Sequence, residues 1–371
     1  MLLSVWSVDR GRRASGARAR RLLGALLVAT AVACGPEGAP APPEESVVVP
    51  RGGTVTIYVE APRRNAGPVL KTFTEQSGIE VHAVYRETLG ERFFPTLKSE
   101  ASAGKVDLLW GVSPLAALDL ALAGLAVPFR PAGARPIPSQ FVDPAYRWIG
   151  FAINSRVIIF NNERMKREEA PTSVFDMTRP PWGGRGAIAR IRTGTPAFHA
   201  AALFALWGPD RARDFFAAMR TNGTRIVEDD AAVRKLVAAG DALWGIVDLD
   251  EAICAKREAE PVHIFFPDRL SLGAVVAPSV VVLLRGAPHG PQAKGLFAYF
   301  FSTEASWQLG QNDCALVTLL PGIPRPDWVP GLGSFNLTRL DNEAVYAAYR
   351  DNLPFFESWG AQAAPAATPK P

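Results

Sequence analysis

The chain has 371 residues, is 48% hydrophobic and 20% charged, and carries 32 glycines and 32 prolines. That composition excludes a disordered chain and shows no collagen or heptad bias, and the length suits two domains. The formal charge of +4 sits at the amino end, where residues 1–33 hold six arginines against one aspartate. The remainder is close to neutral, which excludes the broad basic face that nucleic-acid binding requires.

Arg10 to Arg21 form a basic stretch and Leu22 to Ala29 an apolar one that is too short to span a bilayer. Ala31-Val32-Ala33 is a run of small residues, and Cys34 follows at once. Residues 1–33 read as a signal peptide. The pattern resembles a bacterial lipoprotein signal, in which the Cys34 thiol takes a diacylglycerol, although Ala31 stands where that signal usually has leucine. A plain secretory signal cut nearby is the alternative. Both place the body in the periplasm or cell envelope, with a lipid anchor as the sole membrane attachment. Residues 34–53, rich in proline, read as a flexible linker, and residues 361–371 as a flexible tail.

Thr54 to Val59 is short and β-branched, which predicts a buried strand. A turn over Glu60 to Asn65 leads to a helix from Ala66 to Ser77, stopped by Gly78. A strand over 79–85, a helical stretch to Ala103 and a strand over 106–110 follow. Ser113-Pro114 opens a helix that Gly124 closes. Alternating strands and helices imply parallel pairing with right-handed crossovers. Trp148 to Phe160 is a long β-rich run, and a second unit of the same kind follows it. That unit has strands at 186–191, 224–227 and 242–247. Its helices lie at 195–207, 209–220 and 231–239. Val280 to Leu284 reads as a return strand and Pro291 to Gly310 as a helix.

From Thr54 to Gly322 the chain resembles the family 1 extracellular solute-binding proteins of ABC importers, in their ferric-ion and phosphonate-like branch. The stretches that carry the resemblance include VTIYVEAPRRNAGPVLKTFTEQSGIEV, APTSVFDMTRPPWGGRGAIARIRTGT and AAVRKLVAAGDALWGIVDLDEA. It implies an α/β, two-lobed type II periplasmic-binding fold, with two mixed, mostly parallel sheets joined by hinge strands. One lobe would comprise 54–147 plus 285–360, the other 148–284. The implied protein is a monomer without cofactor or catalysis that delivers a small solute to an inner-membrane permease.

In open α/β sheets, ligands bind beyond the carboxyl ends of the strands. There, helix starts offer free N–H groups and a positive dipole end. The candidate ligand-binding residues are Glu60, Arg63, Arg64, Trp110, Ser113, Arg192, Thr193, Thr195, His199, Asp248, Asp250 and Glu251. Arginines suit bidentate capture of an oxyanion, and the acids suit an ammonium or a cation. Together they lead to an anionic or zwitterionic solute such as a phosphonate, phosphate ester, carboxylate or amino acid.

A ferric or other metal ion is the alternative. The ferric members commonly use an adjacent tyrosine pair, whereas the six tyrosines here (58, 85, 146, 299, 346, 349) include no adjacent pair and the four histidines lack metal spacing. A sensory lipoprotein or a secreted transferase on the same fold are further alternatives. No GxSxG, HExxH, P-loop or CxxC motif supports an enzyme. Cys254 and Cys314 remain as a pair, for which the compartment permits a disulfide and the sequence equally permits two buried thiols.

Overall fold

The computed structural model describes residues 41–268, 271–334 and 336–359. Cys34, the expected signal peptide over residues 1–33 and the expected tail over 361–371 lie outside the described residues. The linker expectation needs correction from residue 41 onward. Glu44–Glu45 (β1) pairs in parallel with Arg130–Pro131 on the body. Arg135 closes an ion pair on Glu44 and Lys294 one on Glu45. A proline-rich segment with little core of its own is ordered here because the body supplies partners for its carboxylates.

Thr54–Val59 (β2) runs between Glu80–Tyr85 (β3) and Leu108–Gly111 (β4), parallel to both. Arg63–Ser77 (α1) crosses between β2 and β3. It starts three residues before the expected Ala66, because the amides of Asn65 and Ala66 both donate to the Pro62 carbonyl. Gly78 ends it at φ 70°, a left-handed position that spares glycine the Cβ clash. The stretch to Ala103 breaks at Gly90 into Arg86–Leu89 (α2) and Phe93–Ser102 (α3). Pro114–Leu122 (α4) then leads to the short strands Ala126–Val127 (β5) and Arg130–Pro131 (β6).

Ile149–Asn161 (β7) is buried along all 13 residues and serves both halves of the molecule. The second half continues with Gly186–Ala189 (β8), Gly194–Trp207 (α5), Pro209–Thr221 (α6), Arg225–Val227 (β9) and Asp230–Ala238 (α7). Trp244–Asp248 (β10), Leu249–Arg257 (α8) and Val262–Phe265 (β11) complete it. Val276–Leu284 (β12) returns to the first half, where it pairs with β4. Gly290–Tyr299 (α9), Thr303–Gln311 (α10) and Val317–Thr318 (β13) follow. The expected single helix over 291–310 is therefore two, the second capped by Ser302.

The strand order is β3-β2-β4-β12-β7-β10-β8-β9. Parallel pairs lie toward the outside, and antiparallel pairs meet at β7 and β12. The fold is α/β with two lobes and flanking helices, and β7 and β12 run from one lobe into the other. The register of β12 on β7 shifts between Ser279 and Val280, at the crossing point.

Asn342–Asp351 (α11) and Leu353–Ser358 (α12) correct the expected lobe division. They were assigned to the first lobe, yet Phe356 packs on Phe204 of α5, and Trp359 on Phe216 of α6. Val345, Tyr346 and Phe356 are buried in one apolar cluster with Phe198, Leu203 and Phe204 of α5, which Leu115 and Leu118 of α4 also join. Among the described residues no helix is long and apolar enough to cross a membrane.

Candidate solute-binding cleft

The carboxyl ends of β2, β3, β8 and β10 open on a cleft of about 700 Å³ between the lobes. Eight of the residues expected from the sequence line it: Glu60, Arg64, Arg192, Thr193, Thr195, Asp248, Asp250 and Glu251.

On the first lobe, Glu60 ends β2 and is 6% exposed. It accepts from the Val112 amide at 3.1 Å and faces Arg86 at 3.3 Å. Burial raises its pKa, against the pull of Arg86 and the amide. Arg86 follows β3 directly and reaches across to the Thr193 hydroxyl. The early start of α1 brings Arg64 and Asn65 into the helix's first turn. Arg64 pairs with Glu251 of the second lobe. The Asn65 amide donates to Asp250 at 3.3 Å and to the Cys314 carbonyl at 2.9 Å. Its Oδ1 is buried without a donor.

On the second lobe, Asp248 ends β10. It accepts from Arg156 at 2.8 Å and from the Thr195 hydroxyl. Arg156 lies beneath the cleft, 5% exposed, and also pairs with Asp230. Burial pushes Asp248 up to about 7; Arg156 opposes this, and Asp230 and Asp250 add to it. Asp250 accepts from Asn154 at 2.8 Å and from the Glu251 amide at 2.9 Å. Glu251 sits between Arg64 and Arg234. Burial raises both acids as well.

Four expected residues lie outside the cleft lining. Arg63 turns away and lies over the Tyr85 ring at 4.1 Å. Trp110 is fully buried, edge-on to Phe151 and Phe300, because β4 is covered on both faces. Ser113 stands at the N-cap of α4 but is buried and makes no side-chain cap bond. His199 is buried one turn into α5, and desolvation together with Arg156 holds its pKa down to about 3. Thr195 lies inside α5 and turns its hydroxyl to Asp248, so it does not cap the helix as a side chain.

The sequence reading missed Arg86, Asn154, Asp229, Asp230, Tyr349 and Glu357, all of which line the cleft. Tyr349 comes from α11 and donates to the Arg192 carbonyl at 3.0 Å; burial pushes it up to about 12. Ten acidic residues and four arginines line the space in all. Among the described residues no three His, Cys, Asp or Glu side chains converge as a metal-binding group. Cys254 of α8 and Cys314, in the turn after α10, form a disulfide with Cα atoms 4.6 Å apart.

Against known proteins, the chain is similar to Iron uptake protein A1 of Synechocystis sp., with 26% identity over 287 residues, 72% of this chain and 77% of that one. Among solved structures, the apo ferric ion-binding protein A of Pasteurella haemolytica superposes with a TM-score of 0.75 at 19% identity, covering 85% of this chain and 99% of that one. The periplasmic binding protein AfuA of Actinobacillus pleuropneumoniae, with exogenous fructose-6-phosphate bound, gives 0.73 at 20% identity, covering 84% and 99%. The model of the bacterial extracellular solute-binding proteins matches residues 106–319, more than half of the chain. The two-lobed fold, the cleft at the strand ends and this match agree, and the chain belongs to the bacterial extracellular solute-binding protein family.

Proposed function

We propose that this chain is the periplasmic capture component of an ABC importer and that its cargo is a ferric ion carried on a small organic acid. The observation that carries this reading is the charge of the cleft, ten acidic residues against four arginines. A free oxyanion, the leading expectation from the sequence, meets net repulsion there. Unit charges about 4 Å apart near a protein surface interact by about 4 kcal/mol. Asp248, Asp250 and Glu60 offer hard oxygen donors, and the Oδ1 of Asn65, buried without a donor, offers another. Among the described residues no protein triad completes a metal site, so oxygens of the chelating acid fill the remaining positions, and Arg86 and Arg192 meet its carboxylates. The iron named in the relatives supports the same cargo.

The lobes close on the cargo about β7 and β12, and closure gathers the two walls around it. A permease then reads the closed shape. Anchoring through Cys34 belongs to this proposal; loss of labelled fatty-acid incorporation in C34A tests it.

A phosphorylated sugar is the second reading. Arg86, Arg190 and Arg192 line the cleft together with Gly194 and Thr195 at the start of α5, the positive end of the helix. Calorimetry with ferric citrate and with fructose 6-phosphate separates the two. The first reading expects ferric citrate to bind with a Kd near or below about 1 μM, equivalent to about −8 kcal/mol, and the sugar phosphate to give no heat. The reverse pattern supports the second reading. Silence from both ligands sinks both.

A further inference from the structure

We infer that the Cys254–Cys314 disulfide staples one side of the cleft, so that Asp250 and Glu251 stay on the first lobe when the protein opens and all opening occurs on the Arg86–Thr193 side. The inference rests on the hinge-closing reading above, but not on the identity of the cargo.

The two cysteines belong to different lobes. Cys254 sits in α8, which leaves β10 of the second lobe. Cys314 lies between α10 and β13. Gln308 of α10 donates to Thr72 of α1 at 2.6 Å, and β13 pairs with β7 at Ala152 and Ile153, so this turn rides with the first lobe. Both cysteines are nearly buried, at 2% and 6% exposure. Other contacts join α8 to the first lobe around the bond. Arg64 meets Glu251, Asn65 meets Asp250, and Arg257 meets Asp313 at 3.2 Å.

The opposite side is held differently. Its cross-lobe contacts include Arg86 to Thr193, Arg192 to Glu91, whose side chain is 74% exposed, and Tyr346 of α11 to Asp119 of α4 at 3.0 Å, where Leu115 and Leu118 of α4 also pack, and none of them is covalent. Exposed pairs of this kind yield to water and salt. A disulfide does not yield, since its Cα atoms stay within about 7 Å. Rotation about β7 and β12 therefore cannot carry α8 away from α1. The acidic wall remains assembled in the open state, and solute enters past Arg86 and Arg192.

The staple makes a positioning pair of the two cysteines. It restricts the open ensemble, and a protein whose competent state is more populated binds with higher apparent affinity.

The test compares the oxidised full chain with the C254S/C314S variant, each carrying one of two spin-label pairs on exposed residues. Lys71→Cys with Lys235→Cys reports the stapled side, and Thr88→Cys with Arg225→Cys the opening side. In unliganded oxidised protein the stapled pair should give one narrow distance and the opening pair a broad one. In the variant both should be broad. With ferric citrate as probe, the variant should bind about tenfold more weakly. Mild reduction of the unsubstituted protein, followed by thiol capping, repeats the comparison should the variant misfold.

Equal breadth of the stapled pair with and without the bond overturns the inference, as do two free thiols in the unreduced protein. Failure of ferric citrate to bind leaves the unliganded distances to decide, and counts against the proposed cargo alone.

Discussion

Glu60 and Asp248 stand at matching places on the two walls. Each is an acid at the carboxyl end of a strand, and each is buried. Their counter-charges differ. Glu60 faces Arg86, which is about one-third exposed, comes from its own lobe and already touches the other. Asp248 faces Arg156, which rises from β7 beneath the cleft and is shared with Asp230. The first pair is neutral and can swing. The second cluster carries one net negative charge when Asp248 is ionised and none when it holds its proton, in a fixed frame. One wall is thus suited to follow the solute, the other to hold charge in place against it.

The largest expected effect breaks that frame. Arg156→Met leaves Asp230 and Asp248 buried without their cation, which costs about 3–5 kcal/mol of stability. Arg86→Ala removes a partner that water can partly replace and should cost no more than about 1.5 kcal/mol. Urea unfolding of both variants measures the gap. Equal losses would mean that the two walls are not built differently.

A titration sharpens the same comparison. The folded pKa of Asp248 lies near 7, above its ordinary value of 3.8, so folded protein holds a proton that the unfolded chain releases. Between those values this group makes stability fall as pH rises. Glu60, Asp250 and Glu251 shift upward too and act with the same sign. A bound cation favours the carboxylate, so binding at pH 6 should release about one proton. Affinity should then climb up to about tenfold per pH unit from 5 to 7 and level off above. Calorimetry in buffers of different ionisation enthalpy counts the proton, and Asp248→Asn should remove most of it. A release that persists in the variant would move the titrating group to Asp250, Glu251 or Glu60.

Much of the fold is legible because local rules and tertiary packing agree. The β-branched run at 54–59, the Gly78 stop and the Ser-Pro start at 113–114 each specify an element boundary within a few residues. The site was less legible where those rules were silent. Trp110 ends a strand that points at the cleft, yet both faces of that strand are covered, and alternation carries no information there. Arg86 was hidden in what reads as one helical stretch, although Gly90 marks its break. Asn154 and Arg156 did leave a trace, as polar residues inside the apolar run IGFAINSRVIIFN. A charge in a buried strand requires a partner, and that requirement points to an acid nearby. Tyr349 and Glu357 left none. They reach the cleft because α11 and α12 fold back over the second lobe, a long-range event that no local pattern announces.

The smallest expected effect separates two neighbours. Arg63 and Arg64 are equivalent as sequence, both cationic and both in the first turn of α1. The helix turns them about 100° apart, so Arg63 lies over Tyr85 while Arg64 crosses to Glu251. Arg64 is 41% exposed along its side chain, and solvent screens much of its pairing. Arg64→Ala should therefore weaken ferric citrate binding by only about threefold, through a less well held Glu251 in the acidic wall. Arg63→Ala should leave it unchanged. A matching loss in both variants would trace the effect to the net charge of the helix start. A loss confined to Arg64 would tie it to the bridge between the lobes, where α8 already meets α1.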